Sequence, residues 1–139
     1  MRKTSVGSTL LIISTWLSSL MLTAAVFQTV PELLEGIRLQ YKSGNAKELS
    51  KYFNETVELQ LLDQDRKAYN KTQAEFIVKD FFTKYPPSDF KYSYKNLEKE
   101  EFKLAIGDYL YGTGTMRVTM VIKPAKGSYF IDSIVIERK

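Results

Sequence analysis

The chain contains neither histidine nor cysteine, so its possible chemistry rests on carboxylates, amines and hydroxyls. Imidazole bases, thiolate nucleophiles, disulfides and the usual zinc ligand sets are therefore excluded within these 139 residues. No motif for a metal or an organic cofactor is found, and we expect none to bind. A lipid anchor attached through cysteine is excluded for the same reason.

Two short motifs resemble known sites but fail on inspection. Asp63 and Asp65 have the spacing that begins a calcium loop, yet Ala68 stands where that loop needs glycine. Ser88 and Lys91 have the spacing of a serine–lysine nucleophile, which requires a helix to bring both onto one face. The latter pair follows two prolines and enters a predicted strand, where positions three apart point to opposite sides. We interpret both motifs as chance matches.

Asp108 is the carboxylate with the most potential for acid–base chemistry. It lies on the same side of its predicted strand as three apolar residues that we expect to face the helices, namely Leu104, Ile106 and Leu110. A carboxylate among them would be paired, for example with Arg117, or would have a raised pKa. The alternative is a strand-end aspartate in water beside the turn at Gly112. If Leu104, Ile106 and Leu110 face the helices, Tyr109 and Tyr111 lie on the opposite side of the sheet.

Helical patterns occupy the first part of the chain. Pro31 suits a helix start, and the apolar residues that follow it recur at helical spacing until Gly44. Asn45 begins a short second helix, and Asn70 with a glutamine three residues later begins a third. Pro86 and Pro87 end that helix. Three helices are therefore expected, of which the second is short.

Strand patterns occupy the space between these helices and the whole second half. Val57, Leu59 and Leu61 alternate with polar residues, and the chain after Pro87 alternates almost throughout. The last strand changes phase between Ile131 and Ile134, which indicates a β-bulge. Helices followed by long antiparallel strands predict an α+β domain in which the helices cover one face of a strongly bent sheet.

The N-terminal segment has the layout of a secretory signal peptide. Arg2 and Lys3 precede an uncharged apolar run that ends in small residues near Ala25. We expect residues 1–25 to be a signal peptide, residues 26–139 to be one domain, and the protein to be exported, periplasmic or secreted. The alternative is an uncleaved membrane anchor. If the segment is cleaved, we expect membrane contact only through the signal segment and only before cleavage.

The basic isoelectric point does not indicate a nucleic-acid partner. The net charge of the chain is +4, and it falls to about +2 once Arg2 and Lys3 are removed with the signal segment. The remaining cations are scattered among acids and do not line one helix. No nucleic-acid binding is expected.

Four sequence segments resemble those of an uncharacterised family of secreted bacterial proteins in the nuclear transport factor 2-like superfamily. They are KSGNAKELSKYFNETVEL, FFTKYPP, FKLAIGDY and TMRVTMVIKPAKGSYFIDSIVIE. The resemblance covers roughly Glu32 to Glu137. It implies the cone fold of ketosteroid isomerases, polyketide cyclases and cystatin-like domains, in which helices and a bent sheet enclose a pocket. It is specific for the fold and weak for function, because this fold hosts many activities.

The catalytic residues of the isomerases do not carry over. Their base is an aspartate just after a stretch similar to Thr56-Val57-Glu58, and the next residue here is Leu59. The isomerases also have an acid on a later strand. It aligns near Thr119 of this chain, and a threonine cannot replace it. The resemblance therefore implies no isomerase activity, and no catalytic residue is assigned.

Three hypotheses for function remain open. The favoured one is a non-catalytic exported domain that binds a small apolar molecule or a peptide in the cone pocket. Candidate lining residues are Leu59, Phe81, Tyr94, Ile106, Asp108, Met116 and Met120. The second is a homodimeric assembly module that uses the open sheet face. Candidate interface residues are Tyr109, Tyr111, Arg117 and Thr119. The third is an unfamiliar acid–base enzyme that uses Asp108 and a tyrosine.

Overall fold

The structure, a computed structural model, describes residues 28–139, so the predicted signal peptide lies outside the described residues. In chain order, the elements are α1 (Val30–Ser43), α2 (Ala46–Ser50), β1 (Phe53–Leu61), β2 (Lys67–Asn70), α3 (Lys71–Lys84), β3 (Pro87–Asn96), β4 (Lys103–Tyr111), β5 (Gly114–Ala125) and β6 (Ser128–Arg138). Within this described part, no helix is long and apolar enough to cross a membrane.

Side-chain caps determine where the two long helices begin. The Thr29 side chain accepts a hydrogen bond from the Glu32 N–H, and the Glu32 carboxylate accepts one from the Thr29 N–H. Asn70 and Gln73 make the same reciprocal pair at the start of α3. These bonds satisfy N–H groups that lack partners inside the helix. Gly44 ends α1 at a φ of 66°, a left-handed conformation that glycine adopts without steric cost.

The six strands form one open sheet in the order β2-β1-β6-β5-β4-β3. The β1–β6 pair is parallel, and the other four pairs are antiparallel. The parallel pair joins the first and last strands, so it connects the early hairpin to the later meander. The predicted α+β class with a mostly antiparallel sheet is confirmed.

The predicted bulge in the last strand is also confirmed. Ile122 pairs with Ile131 and Val121 pairs with Ser133, so Asp132 is an extra residue without a partner on β5. A bulge increases local twist and bends the strand. Strand β3 carries a second irregularity between Tyr92 and Tyr94. These shifts curve the sheet.

The long helices lie on one face of this curved sheet, which we call the inner face. The Phe82 ring of α3 stacks on Tyr109 of β4, with ring centroids 6.1 Å apart. The Tyr92 hydroxyl of β3 donates a 2.7 Å hydrogen bond to the Leu34 carbonyl of α1. Helix α2 packs on α1 and α3. The opposite side of the sheet is called the outer face.

Candidate functional site

The interior between helices and sheet is filled with aromatic rings. Tyr41 of α1 stacks on Phe90 of β3, with centroids 4.6 Å apart and planes 13° apart. The Phe90 ring in turn lies directly on the backbone of β4, because a Cβ at Gly107 would be 2.3 Å from its Cζ. Tyr109 is also buried here, and its hydroxyl donates to the Tyr85 carbonyl. Burial raises the pKa of the Tyr41 and Tyr109 phenols.

Four of the seven predicted pocket residues lie in this interior. Leu59, Phe81, Met116 and Met120 are at most 4% exposed. All four belong to the same hydrophobic core. They pack against neighbouring side chains there and contribute to the stability of the fold.

The predicted facing of β4 is wrong. Tyr109 and Tyr111 lie on the inner face, where Tyr109 contacts Phe82 and Tyr111 packs edge-on against Tyr85. They are therefore not interface residues on the open face. The inner positions of β4 also include small residues, because the rings of α1, α3 and β3 occupy the space above them.

The remaining predicted pocket residues on this sheet lie on the outer face. Tyr94 pairs with Ile106 across β3 and β4, and it is 50% exposed. Asp108 lies two residues from Ile106 on the same side and forms a 2.9 Å ion pair with Lys139. Asp108 is half-buried, so among the alternatives that the sequence left open it is a paired, partly solvated carboxylate and not an acid buried in the core. Arg117 is its cross-strand neighbour on β5, but the ion pair is made with Lys139.

A signal for the correct phase was present in the sequence. The two-residue turn at Gly112 and Thr113 pairs Tyr111 with Gly114 and therefore Tyr109 with Met116. Opposed residues of an antiparallel pair share a face. The apolar stripe of β5 that begins at Met116 thus places Tyr109 inside.

The outer face carries a block of half-buried apolar side chains, which we call the apolar block. Its members are Leu104, Ile106 and Leu110 of β4, Val121 of β5, Val135 of β6, and the exposed Tyr94 of β3. The register places Ile106, Thr119 and Val135 in one row across three strands. Thr119, an interface candidate, thus lies on the outer face.

A row of alternating charge borders the apolar block. The register aligns Lys91 with Asp108, Asp108 with Arg117, and Arg117 with Glu137, across β3, β4, β5 and β6. We call these four residues the charged row. Its order is positive, negative, positive, negative. Arg117, an interface candidate, therefore lies on the outer face.

A groove of about 240 Å³ lies beside the C-terminal half of α3, and we call it the α3 groove. Its apolar lining comes from Leu61, Leu62, Ile77, Phe81 and Tyr85. Its polar lining comes from Asp63, Gln64, Asp80, Lys84 and Arg138. Of the sequence candidates, only Phe81 borders it. Asp63 also borders it but belongs to the rejected calcium-loop match. The other lining residues lack a local motif, because the end of β1, α3 and the end of β6 meet only in the folded chain.

Solved structures with the same fold include close and remote relatives. A DUF4783 family protein from Bacteroides ovatus ATCC 8483 is 28% identical, with a TM-score of 0.70 over 75% of this chain and 93% of that one. A domain of unknown function with a cystatin-like fold from Nostoc punctiforme PCC 73102 is 9% identical, with a TM-score of 0.63 over 81% of this chain and 80% of that one.

A third structure, from Thiobacillus denitrificans ATCC 25259, carries the name of a calcium/calmodulin-dependent protein kinase type II association domain. It is 8% identical, with a TM-score of 0.65 over 84% of this chain and 99% of that one. At these identities, the last two likenesses concern the fold alone. The nuclear transport factor 2-like and cystatin-like fold is confirmed.

No protein with a curated description matches the chain in sequence. The family model described as a domain of unknown function, DUF4783, matches residues 34–137. That range includes every helix and strand from most of α1 to β6. The chain belongs to the DUF4783 family.

Proposed function

We propose that this domain is a non-catalytic assembly module that forms a homodimer through the outer face of its sheet. The observation that carries the proposal is the apolar block, which lies on the side of the sheet opposite α1 and α3. Clustered apolar side chains on an open sheet face favour association, because contact removes them from water. The interior ligand hypothesis has less support, since its inner-face candidates pack in the core.

The size of the outer face suits a dimer. Strands β3 to β6 lie about 4.8 Å apart and contribute about eight residues each, which gives roughly 500 Å² of flat area per protomer. Two such faces in contact bury about 1,000 Å², without the additional area that protruding side chains contribute. This area is near the lower limit for a specific interface. The pair of faces is therefore large enough without help from another surface.

The charged row supports a second copy of the chain as the occupant. If two outer faces meet about a two-fold axis along the strands, between β4 and β5, the row lies over itself in reverse order. Lys91 then faces Glu137 of the second copy, and Asp108 faces Arg117 of the second copy. Every position meets the opposite charge, as an isologous interface requires. A two-fold axis across the strands would not bring about this match.

The name of the Thiobacillus denitrificans structure provides weaker support. That protein is named as an association domain, and its fold is shared with this chain. A domain of this fold can therefore be named for association rather than for catalysis.

An Ile106→Glu variant tests the proposal, because it places a charge at the centre of the apolar block. We expect the wild-type domain to sediment as a dimer and the variant as a folded monomer, with dimer affinity reduced at least about 100-fold. Phe76→Glu is the matched control, since Phe76 is an exposed apolar residue of α3 away from the outer face. A wild-type monomer at high micromolar concentration would refute the proposal.

Charge reversal tests the orientation of the dimer. Lys91→Glu or Glu137→Lys alone places like charges opposite each other and should weaken the dimer about tenfold. The two together restore opposite charges at both ends of the row and should restore affinity. Sedimentation velocity at low salt measures all three variants. A double variant weaker than either single one would exclude the proposed two-fold axis.

A further inference from the structure

We infer that the α3 groove binds a free α-amino acid with an apolar side chain, such as leucine or phenylalanine. This ligand combines an apolar body with one positive and one negative group attached to the same carbon. Those are the three features that the groove complements. The site is separate from the outer face, so it does not depend on the proposed dimer.

The apolar part of the groove is formed by three elements. Ile77 and Phe81 are one turn apart on α3, and Leu61 ends β1. Phe81 and Leu61 are anchored in the core, so the base of the groove is fixed by packing. Tyr85 closes one end and is held edge-on by Tyr111 at 5.4 Å between ring centroids. A branched or aromatic side chain would lie against this surface.

Leu62 provides an independent sign that the groove has a function. Its φ of 58° places a leucine in the left-handed region, where side chains other than those of glycine and asparagine are disfavoured. Its N–H donates a 2.7 Å hydrogen bond to the Ile136 carbonyl, which holds this conformation. Glycine would satisfy the same backbone at lower cost. A leucine here supplies a side chain that lines the groove, and backbone strain is concentrated at binding sites.

The charges around the groove indicate a zwitterion. Asp80 and Lys84 neutralise each other in a 3.2 Å ion pair. Asp63 and Arg138 form no ion pair within residues 28–139, although Leu61 and Ile136, two residues before them, are register partners on β1 and β6. The ammonium and carboxylate of one amino acid are separated by a single carbon. They are complementary in charge to the Asp63 carboxylate and the Arg138 guanidinium, which both line the groove.

The volume of the groove suits a ligand of this size. The groove measures about 240 Å³, below the range of roughly 300–1,000 Å³ typical of sites for drug-sized molecules. A single amino acid fits within it, whereas a sterol or a long acyl chain would extend beyond it. A monoanion would meet a rim of zero net charge and leave Asp63 without a partner.

Isothermal titration calorimetry of the domain (residues 26–139) with L-leucine and L-phenylalanine tests the inference. We expect submillimolar binding of at least one of them, with about tenfold weaker binding of the deaminated acids 4-methylpentanoate and 3-phenylpropanoate and of the amino acid amides. Equal binding of the deaminated acids would overturn the zwitterion assignment. No binding of either amino acid at 10 mM, about tenfold above the expected range, would overturn the site.

Adjacent residues provide a matched pair of variants. Arg138→Ala should weaken binding about tenfold or more, because it removes the cation opposed to the ligand carboxylate. Lys139→Ala removes the same charge one residue later, where the side chain pairs with Asp108 on the outer face. It should leave binding unchanged. Equal loss in both variants would show a non-specific charge effect and contradict the site.

Leu62→Asn separates a binding role from a folding role. Asparagine tolerates the left-handed conformation but removes the apolar lining. We expect a melting temperature within a few degrees of wild type and at least about fivefold weaker binding. A large fall in the melting temperature with unchanged ligand affinity would assign Leu62 to the fold and overturn its part in the groove. The same titrations on the Ile106→Glu monomer keep this test independent of the dimer.

Discussion

At the scale of single residues, removal of the hydroxyl group is expected to have opposite effects on the free energy of unfolding at two buried tyrosines. Tyr41 is 1% exposed, and its hydroxyl has no hydrogen-bond partner among residues 28–139. Tyr41→Phe should therefore raise the free energy of unfolding by about 1 kcal/mol, because an unsatisfied polar group leaves the core. Tyr109→Phe should lower it by about 1 kcal/mol, because the bond to the Tyr85 carbonyl is lost. Urea denaturation measures both.

The ring stacking is unchanged in each variant, so the pair isolates the hydroxyl groups. Destabilisation by Tyr41→Phe would show that its hydroxyl has a partner, such as a buried water. No effect of Tyr109→Phe would show that its bond makes no net contribution.

At the scale of elements, the bulge of β6 can be removed without changing which side chains face the core. Deleting Asp132 would place Ile131 and Ser133 in regular succession opposite Ile122 and Val121, which already pair with them. We expect this variant to fold cooperatively with a lower melting temperature, since the strand loses its bend and Asp132 its 3.2 Å ion pair with Lys123.

Deleting Val135 instead is the matched control. Val135 lies in a regular part of β6, so its loss moves Ile136 from the inner to the outer face. This variant should show no cooperative transition in circular dichroism. Equal behaviour of the two deletions would contradict the assignment of Asp132 as the extra residue.

At the scale of the whole molecule, the buried tyrosines make stability depend on alkaline pH. Burial raises the pKa of Tyr41, Tyr92 and Tyr109 above the ordinary value of 10.0. The folded protein keeps these phenols neutral, whereas the unfolded chain loses their protons above about pH 10. Their contribution to stability is therefore complete below pH 10 and is lost as the pH rises towards the raised folded values.

Urea midpoints should fall steadily between about pH 9.5 and 11.5. Phenolate absorbance near 295 nm should show these three groups ionising only as the protein unfolds. Tyr92→Phe should reduce the slope, whereas a midpoint independent of pH would contradict the burial of these groups.

The sequence alone determined the order of the elements and most of their boundaries. Caps at Asn70, the glycine end at Gly44 and the phase change between Ile131 and Ile134 are local signals, because each depends on residues within about four positions. The chain also excluded whole classes of chemistry through the absence of histidine and cysteine. These conclusions needed no knowledge of tertiary contacts.

Tertiary structure decided which face of β4 is buried and where a groove forms on the surface. Apolar content favoured Leu104 and Ile106 for the core, yet the core uses Gly107 because the Phe90 ring rests on its backbone. The α3 groove likewise joins Leu62, Ile77 and Arg138, which are remote in sequence. Local patterns specify an element from its own residues, whereas the facing of a strand with two apolar sides, and any groove between elements, depend on which neighbours fill the space above them.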